Sequence, residues 1–534
     1  MMISGANNLY NKKAEVDELN VFPVPDGDTG TNMSMTVTAM VAGLDKPEDM
    51  TVSAVADKIS FATLRGARGN SGVILSQFFR GISKSLKGKE ECSAEELAAA
   101  LKKGADAAYK AVMNPTEGTI LTVAREVADA AVSKAKRTDD LTEVLTFAVE
   151  CGNKTLAKTP EMLPALKQAG VVDAGGQGWM YFLEGALLTV KSGEVVKSDL
   201  KASAKSAEKN QAQKSIDTGS IKYIYCTEFI VEKKNAKVNV PMFRKAIETR
   251  GDSMIVIDDD EIVKVHIHTN NPGFVLEKAV ILGDLINIKI DNMKHQHKSL
   301  LEEEKSGEPA EAPAENKPFG FVGICSGEGM SEILKSLGVD VVIEGGQTMN
   351  PSTDDILDAT NTVYADTIFV FPNNKNIIMA AEQAADISEK NIVVIPSKTV
   401  PQCISALMSF NAQKSAEDNE KKMTKALGEV KTGQITYAVR DTEIEDKVIR
   451  EGDILGIGEG KIEAVCETPA ETCKVLMQKL IDDESEFVTL YYGNNITEEE
   501  AETLVEELEE EYPDVEFNAK LGGQLLYYYI ISVE

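Results

Sequence analysis

The sequence predicts a multidomain chain with an all-α N-terminal domain, a small α+β middle domain of ferredoxin-like order and an α/β C-terminal domain. Three observations carry this. Apolar residues recur at helical spacing up to about residue 190; beyond 220 the pattern changes to strands alternating with helices; two tracts without apolar period separate the regions. The predicted parts are 1–192, a linker 193–219, a middle domain 220–300, an acidic Pro/Ala linker 301–318 and a C-terminal domain 319–534.

The totals narrow the partners. At 534 residues with a net charge of -30, the chain is a poor match for nucleic acid or an anionic membrane, since both are polyanions. No apolar run approaches the roughly 20 residues of a membrane span, and the N-terminus lacks the order of a signal peptide. A cytoplasmic protein with no nucleic-acid partner and no membrane span is expected. The seven cysteines are scattered and form no Cys-x-x-Cys pair, which reads as reduced thiols.

In the first domain, helical spacing covers 51–64, 72–86, 119–137 and 142–158, and Ser93-Ala-Glu-Glu96 is a capping box opening an Ala-rich helix that Pro115 stops. The organising stretch is Leu19-Asn-Val-Phe-Pro-Val-Pro-Asp-Gly-Asp-Thr-Gly-Thr-Asn-Met33. Pro and Gly hold Asp26 and Asp28 on a loop, and a helical pattern resumes beyond Asn32. Mg²⁺ takes one or two protein carboxylates with water and substrate phosphates, and amides at a helix start favour phosphate oxygens. Asp26 and Asp28 would therefore hold metal, and Thr29, Gly30, Asn32 and Met33 would meet phosphate.

An EF-hand fails: counted from Asp26, the invariant glycine position is Thr31 and the bidentate glutamate position is Val37. A Walker A loop fails too, because neither Gly88-Lys89 nor Gly460-Lys461 is followed by Ser or Thr. Gly-rich corners at Gly66–Gly72, Asn114–Thr119 and Asp173–Gly178 each precede a helix, and glycine lets backbone come close to a ligand.

These residues resemble known kinases. Leu19 to Met33, Gly69-Asn-Ser-Gly72, Glu117-Gly-Thr119 and Asp173-Ala-Gly175 are similar to the nucleotide-binding L subunit of dihydroxyacetone kinases, and the wording from Asn20 to Asn32, joined to the region beyond residue 200, resembles the A subunit of bacterial fatty acid kinases. The resemblance implies a barrel of antiparallel helices with ATP at one end and two Mg²⁺ ions on a cluster of acids. Carried over, Asp26 and Asp28 become metal ligands, Asn70, Ser71 and Gly72 become phosphate contacts, and Gly118, Thr119, Asp173 and Gly175 line the nucleotide. Where dihydroxyacetone kinases have a third acid upstream, this chain is read as offering only Asn20 and apolar residues, with Asn20 the stand-in metal ligand. The N-terminus is read as too close to the motif for a complete leading helix.

The middle domain parses as strand 221–231, helix 240–250, strand 253–258, strand 262–269, helix 273–282 and strand 285–291, an order in which the first and third strands are neighbours. His266 and His268 are two apart on a strand, so they share a face, and Cys226 sits on the adjacent strand. A Cys-His-His set suits Zn²⁺, and His295 or His297 could complete it. All four histidines of the chain lie here. The resemblance implies that Cys226, His266 and His268 form a site needed for activity, by metal binding or by action on substrate.

Beyond 318 the pattern is strand, Gly corner and helix, as in Gly320–Cys325 followed by Ser326-Gly-Glu-Gly329, which predicts a parallel sheet. Gly327 and Gly329 could cradle an anion, although the full Gly-x-Gly-x-x-Gly spacing is missing. A very acidic helix at 497–511 lies between strands from 487 and around 514–518 and 524–532. The resemblance implies that this region engages a separate fatty-acid-binding partner protein, that the phosphoryl acceptor is a fatty acid carboxylate, and that the product is an acyl phosphate. A homodimer is a further candidate assembly. A self-contained hydroxyketone kinase and a non-enzymatic nucleotide-sensing scaffold are the alternatives. No segment stands out as a lipid tunnel.

Overall fold

The computed structural model describes residues 1–20, 27–44, 51–112, 114–198, 225–234, 238, 240–247, 250–258, 262–292, 317–346, 349–444 and 447–534. It divides into two compact units, one formed by Met1–Glu208 with Glu315–Glu534 and the other by Lys209–Ala314. The two outer regions, read from sequence as separate domains, thus share one unit.

The N-terminal region is entirely helical among its described residues: α1 Met2–Asn11, α2 Lys13–Asp17, α3 Thr29–Gly43, α4 Val52–Arg65, α5 Gly69–Leu86, α6 Ala94–Ala111, α7 Ile120–Ala135, α8 Leu141–Leu156, α9 Thr159–Met162, α10 Pro164–Ala169 and α11 Ala174–Ser192. The reciprocal cap of α6 forms, with the Glu96 amide donating to Ser93 Oγ at 3.2 Å and the Ser93 amide to Glu96 Oε2 at 2.9 Å. Trp179 and Phe182 of α11 stack at 5.5 Å, and Phe78 and Phe79 of α5 pack edge-on to Trp179.

Two expectations fail here. A complete leading helix does form: α1 lies so close to α11 that a Cβ on Gly185 would sit 2.5 Å from the Ser4 carbonyl oxygen. Small residues on both helices allow that approach, which apolar periodicity alone does not reveal. The start of the predicted linker is also fastened to α1, since Asn7 Nδ2 donates to the Val196 carbonyl at 2.7 Å, Asn11 Nδ2 to that of Lys197 at 2.9 Å, and the Val196 amide to Ser4 Oγ at 3.0 Å. Residues 199–219 and 301–316 of the two linkers lie outside the described residues.

Within the helices is an apolar cavity of about 240 Å³, lined among others by Met1, Phe79, Leu101, Leu145 and Trp179. An apolar space in the helical core is therefore present where the sequence made none conspicuous, because its lining comes from helices distant in sequence.

The middle unit runs β1 Tyr225–Lys233, a helix Val240–Ile247, β2 Gly251–Asp258, β3 Ile262–Thr269, a helix Pro272–Val280 and β4 Gly283–Asn292. Its sheet has the order β2-β3-β1-β4, and β1 pairs antiparallel with both β3 and β4. Phe229, Val231, Val263, Val265 and Ile267 from the strands close on Val240, Phe243, Ile247, Val275 and Ala279 from the helices.

The C-terminal region contains a parallel sheet of β5 Lys317–Cys325, β6 Val341–Glu344, β7 Ala365–Phe371 and β8 Asn391–Val394, ordered β6-β5-β7-β8. It also has a six-stranded sheet of β9 Lys431–Tyr437, β12 Ile454–Gly458, β13 Lys461–Cys466, β14 Phe487–Tyr492, β15 Glu516–Leu521 and β16 Tyr529–Val533, besides a small hairpin of β10 Thr442–Ile444 and β11 Lys447–Ile449. The sequence reading left β9, β12 and β13 unassigned. Gly433, Gly456 and Gly458 read as turn residues, yet each is a place where the helix Pro469–Leu480 packs on the strand; a Cβ on Gly433 would lie 2.9 Å from Leu480 Cδ1. Residues 524–528, expected in the last strand, precede it.

The Ser326–Gly329 corner also differs from its reading as an anion cradle. A Cβ on Gly327 would lie 2.3 Å from the Gly522 carbonyl oxygen and one on Gly329 2.0 Å from that of Leu521. The Met330 amide donates to Gly522 at 3.0 Å. These glycines serve backbone-to-backbone contact between the two sheets.

Candidate functional site at the start of α3

The described part of the acidic loop is held from below by a residue the sequence reading passed over. Asp17, at the end of α2, accepts the Gly30 amide at 2.6 Å and the Thr31 amide at 3.1 Å on Oδ1, and the Thr31 hydroxyl at 2.8 Å on Oδ2. Its carboxylate occupies the anion position that the helix start offers. The amides of Gly30 and Thr31, expected to meet phosphate, are therefore already engaged. The signal was present as an acid three residues before Asn20.

Asn20 and Thr29 form the next layer: Thr29 Oγ1 donates to Asn20 Oδ1 at 2.8 Å, and Asn20 Nδ2 donates to the Asp17 carbonyl at 2.9 Å. Asp28 accepts from Asn350 Nδ2 at 2.6 Å on Oδ2. Asn350 belongs to the C-terminal region and is also 3.5 Å from Asn32 Oδ1. Asp28, Asn20, Thr29, Asn32 and Asn350 thus form one connected polar group. Asp26 lies outside the described residues.

Several predicted ligand contacts turn out to be packing positions. Gly30 allows α3 to approach α2, since a Cβ there would lie 2.1 Å from the Lys13 carbonyl oxygen; Gly72 faces Thr36 Oγ1 at 2.4 Å by the same measure. The Met33 side chain is fully buried in the helical core. Gly69 does adopt a left-handed conformation, with φ +57°, and a Cβ on it would crowd the Asn32 amide at 2.5 Å. Asn70 and Ser71 are half-buried, and Asn70 Oδ1 has no hydrogen-bond partner.

The corner Gly66–Gly72, expected at the phosphates, is bound along its first half to the C-terminal region. Arg68 pairs with Ser352 in a β-bridge, the Thr353 amide donates to the Ala67 carbonyl at 3.1 Å, and Arg68 reaches the Asn350 carbonyl at 2.7 Å and Asp355 at 3.1 Å. Arg65 pairs with Asp354, and buried Gln383 accepts from Gln77 Nε2 at 2.8 Å and Ser76 Oγ at 3.1 Å. Ala67 and Val73 join the apolar core beneath the parallel sheet.

The other two corners meet each other. Asp173 caps α11 by accepting the Gly176 amide at 2.6 Å and also takes the Ile120 amide at the start of α7. Burial pushes its carboxyl up to about 6, against the lowering effect of those two amides. A Cβ on Gly175 would lie 3.2 Å from Ile120 Cβ. Gly118, with φ +83°, donates its amide to Thr122 Oγ1 at 2.9 Å, and Thr119 Oγ1 donates to the Thr116 carbonyl at 2.8 Å. Hydrogen bonds from Arg125 hold Glu117 below the usual carboxylate range.

In the middle unit the backbone register pairs Cys226 with His268 and Glu228 with His266. His295 and His297 lie outside the described residues. Among the described residues no three His, Cys, Asp or Glu side chains gather as a metal cluster, and no helix is long and apolar enough to cross a membrane.

Comparison with known proteins covers the whole chain. Residues 23–188 match the DAK2 domain, 222–300 the middle domain of FakA-like fatty acid kinases and 320–534 the C-terminal domain of the same FakA-like group. Protein YloV of Bacillus subtilis is 46% identical over 540 residues, covering 100% of this chain and 98% of the relative, and an uncharacterized protein of Staphylococcus haemolyticus is 42% identical with the same coverage. Among solved structures, the dihydroxyacetone kinase of C. freundii is similar over 46% of this chain and 56% of its own at 11% identity and TM-score 0.31. A DegV family protein of Corynebacterium glutamicum is similar over 40% of this chain and 96% of its own at 16% identity and TM-score 0.30. The domain set is kinase-related, and with end-to-end identity to YloV beside it, the chain belongs to the FakA-like fatty acid kinase family.

Proposed function

We propose that this chain is the ATP-dependent subunit of a fatty acid kinase. It transfers the γ-phosphoryl group of ATP to the carboxylate of a fatty acid presented by a separate lipid-binding protein, in the cytosol. A carboxylate oxygen attacks the γ-phosphorus, the bond to the β,γ-bridging oxygen breaks, and the products are acyl phosphate and ADP.

The observation that carries the reading is the all-oxygen character of the polar group around Asp28. Asp28, Asn20 and the unpartnered Asn350 Oδ1 are the donor types a hard cation takes, and the group stands at a helix start within the DAK2 match. Asp28, with Asp26 two residues before it, would hold Mg²⁺, which when bound to ATP neutralises charge on the transferring phosphoryl group. Asn20 keeps Thr29 oriented, Asp17 fixes the helix start beneath, and Asn70 and Ser71 remain available to phosphate oxygens. Catalysis of this kind rests on positioning and electrostatics.

Cys226, His266 and His268 are proposed as a second site, supported by the pairing of Cys226 with His268 and by the suitability of this ligand set for Zn²⁺. Elemental analysis of protein purified without added metal should give near-stoichiometric zinc, reduced in His266→Ala; a metal-free, fully active preparation refutes the metal.

The function is tested by incubating the purified chain and Mg-ATP with fatty acid plus candidate lipid-binding proteins, and separately with dihydroxyacetone. Acyl phosphate should form only with fatty acid and partner. In Asp28→Ala its formation should fall by ~100-fold or more, the scale for losing a group that stabilises transferring charge. Turnover of dihydroxyacetone alone would overturn the assignment.

A further inference from the structure

Asn350 stands between β6 and the helix Thr353–Thr362, outside the DAK2 match, yet its side chain ends at Asp28. It is 1% exposed. Its Nδ2 donates to Asp28 at 2.6 Å, while its Oδ1 is buried with no partner among the described residues. A buried amide oxygen without a donor is costly unless something else meets it.

The surroundings say what that would be. Nearby stand the Asp28 carboxylate and the Asn32 amide, and left-handed Gly69, on which a Cβ would lie 3.4 Å from Asn350 Nδ2, keeps the space open. An amide oxygen beside a carboxylate suits a divalent cation with its phosphate ligand. The backbone is tied down independently, through Arg68 to the Asn350 carbonyl and the Arg68–Ser352 bridge. The side chain is therefore not needed to hold the loop.

We propose that Asn350 is a positioning residue of the nucleotide–metal site, contributed by the C-terminal region, so that Mg-nucleotide binding and seating of segment 349–355 on the Gly66–Gly72 corner are thermodynamically linked. Linkage is reciprocal: whatever the nucleotide gains from the seated segment, the segment gains from the nucleotide. The inference rests on the kinase reading and adds a residue that the DAK2 match does not contain.

The test uses the full-length chain and MgADP. Calorimetric titration should show tight binding by the parent, with slowed amide exchange over 349–355. Asn350→Ala should weaken MgADP at least tenfold and raise the Mg²⁺ concentration for half-saturation. Arg65→Ala, which removes an ion pair of the same junction away from Asp28, should change neither. Asn350→Asp should melt lower than the parent without metal and recover with Mg²⁺ alone, because a second carboxylate repels Asp28 until a cation joins them. Parent-like MgADP and Mg²⁺ behaviour of Asn350→Ala overturns the proposal, as does Mg²⁺-independent melting of Asn350→Asp if the alanine variant does not fold. A parent chain that binds no MgADP would instead sink the kinase reading itself.

Discussion

Asp17 holds Thr31 by both amide and hydroxyl, at 3.1 and 2.8 Å, and so joins the end of α2 to the start of α3 across the acidic loop. Removing it leaves three donors at a helix start without their acceptor. Asp17→Ala should cost about 1–2 kcal/mol in urea unfolding, the scale of a lost N-cap, and Asp17→Asn less, because the amide oxygen still accepts. An unchanged midpoint would show that water replaces the carboxylate without loss.

Asp173 makes stability depend on acidity. Burial raises its carboxyl to about 6 from an ordinary 3.8, so between those values the folded chain holds a proton that the unfolded chain has released. Stability contributed by the protonated form is full below about pH 4 and is lost as pH rises to about 6. Asp173→Asn keeps a capping side chain and removes the titration. Its unfolding free energy relative to the parent should therefore rise across this window, by on the order of 1–3 kcal/mol. Parallel pH profiles for the two proteins would contradict the assignment.

Helix contacts at glycine give a second stability test. A Cβ on Gly185 meets the Ser4 carbonyl oxygen at 2.5 Å and the backbone of Gly5 at 3.0 Å, where no flexible side chain can move aside. Gly185→Ala should lower the melting temperature through overpacking of about 1–3 kcal/mol, despite the better helix propensity of alanine. Gly88→Ala is the control, with open space around it but φ +77°; it should show only the smaller backbone strain.

Arg68 and Arg65 both cross from the helical region to the C-terminal region, but with different exposure. The Arg68 side chain is 19% exposed and bonds a carbonyl as well as Asp355; that of Arg65 is 41% exposed in a single ion pair. Arg68→Ala should cost about 1.5–3 kcal/mol and Arg65→Ala less than about 1 kcal/mol. Loss of cooperativity in Arg68→Ala, seen as separate unfolding steps, would mark this junction as what couples the two regions.

Much of the architecture was legible because it is local. The α6 capping box, the amphipathic helices and the β-α-β-β-α-β order all depend on residues within a few turns of one another. Glycine was the main source of error. At Gly30, Gly72, Gly327 and Gly329 it was read as making room for a phosphate, and at each the room is taken by protein, a carbonyl or a threonine hydroxyl. A missing Cβ announces close approach but does not say what approaches.

The sequence by itself determined the elements, the family and the acidic loop, since periodicity, capping and a long motif are all carried by neighbouring residues. Only the tertiary structure decided what completes that loop. Asp17 arrives by one helical turn and a chain reversal, and Asn350 comes from 322 positions away. Nothing in local spacing encodes such a meeting; it exists because the Gly66–Gly72 corner and the segment before Thr353 pair backbone to backbone and bring Asn350 to Asp28.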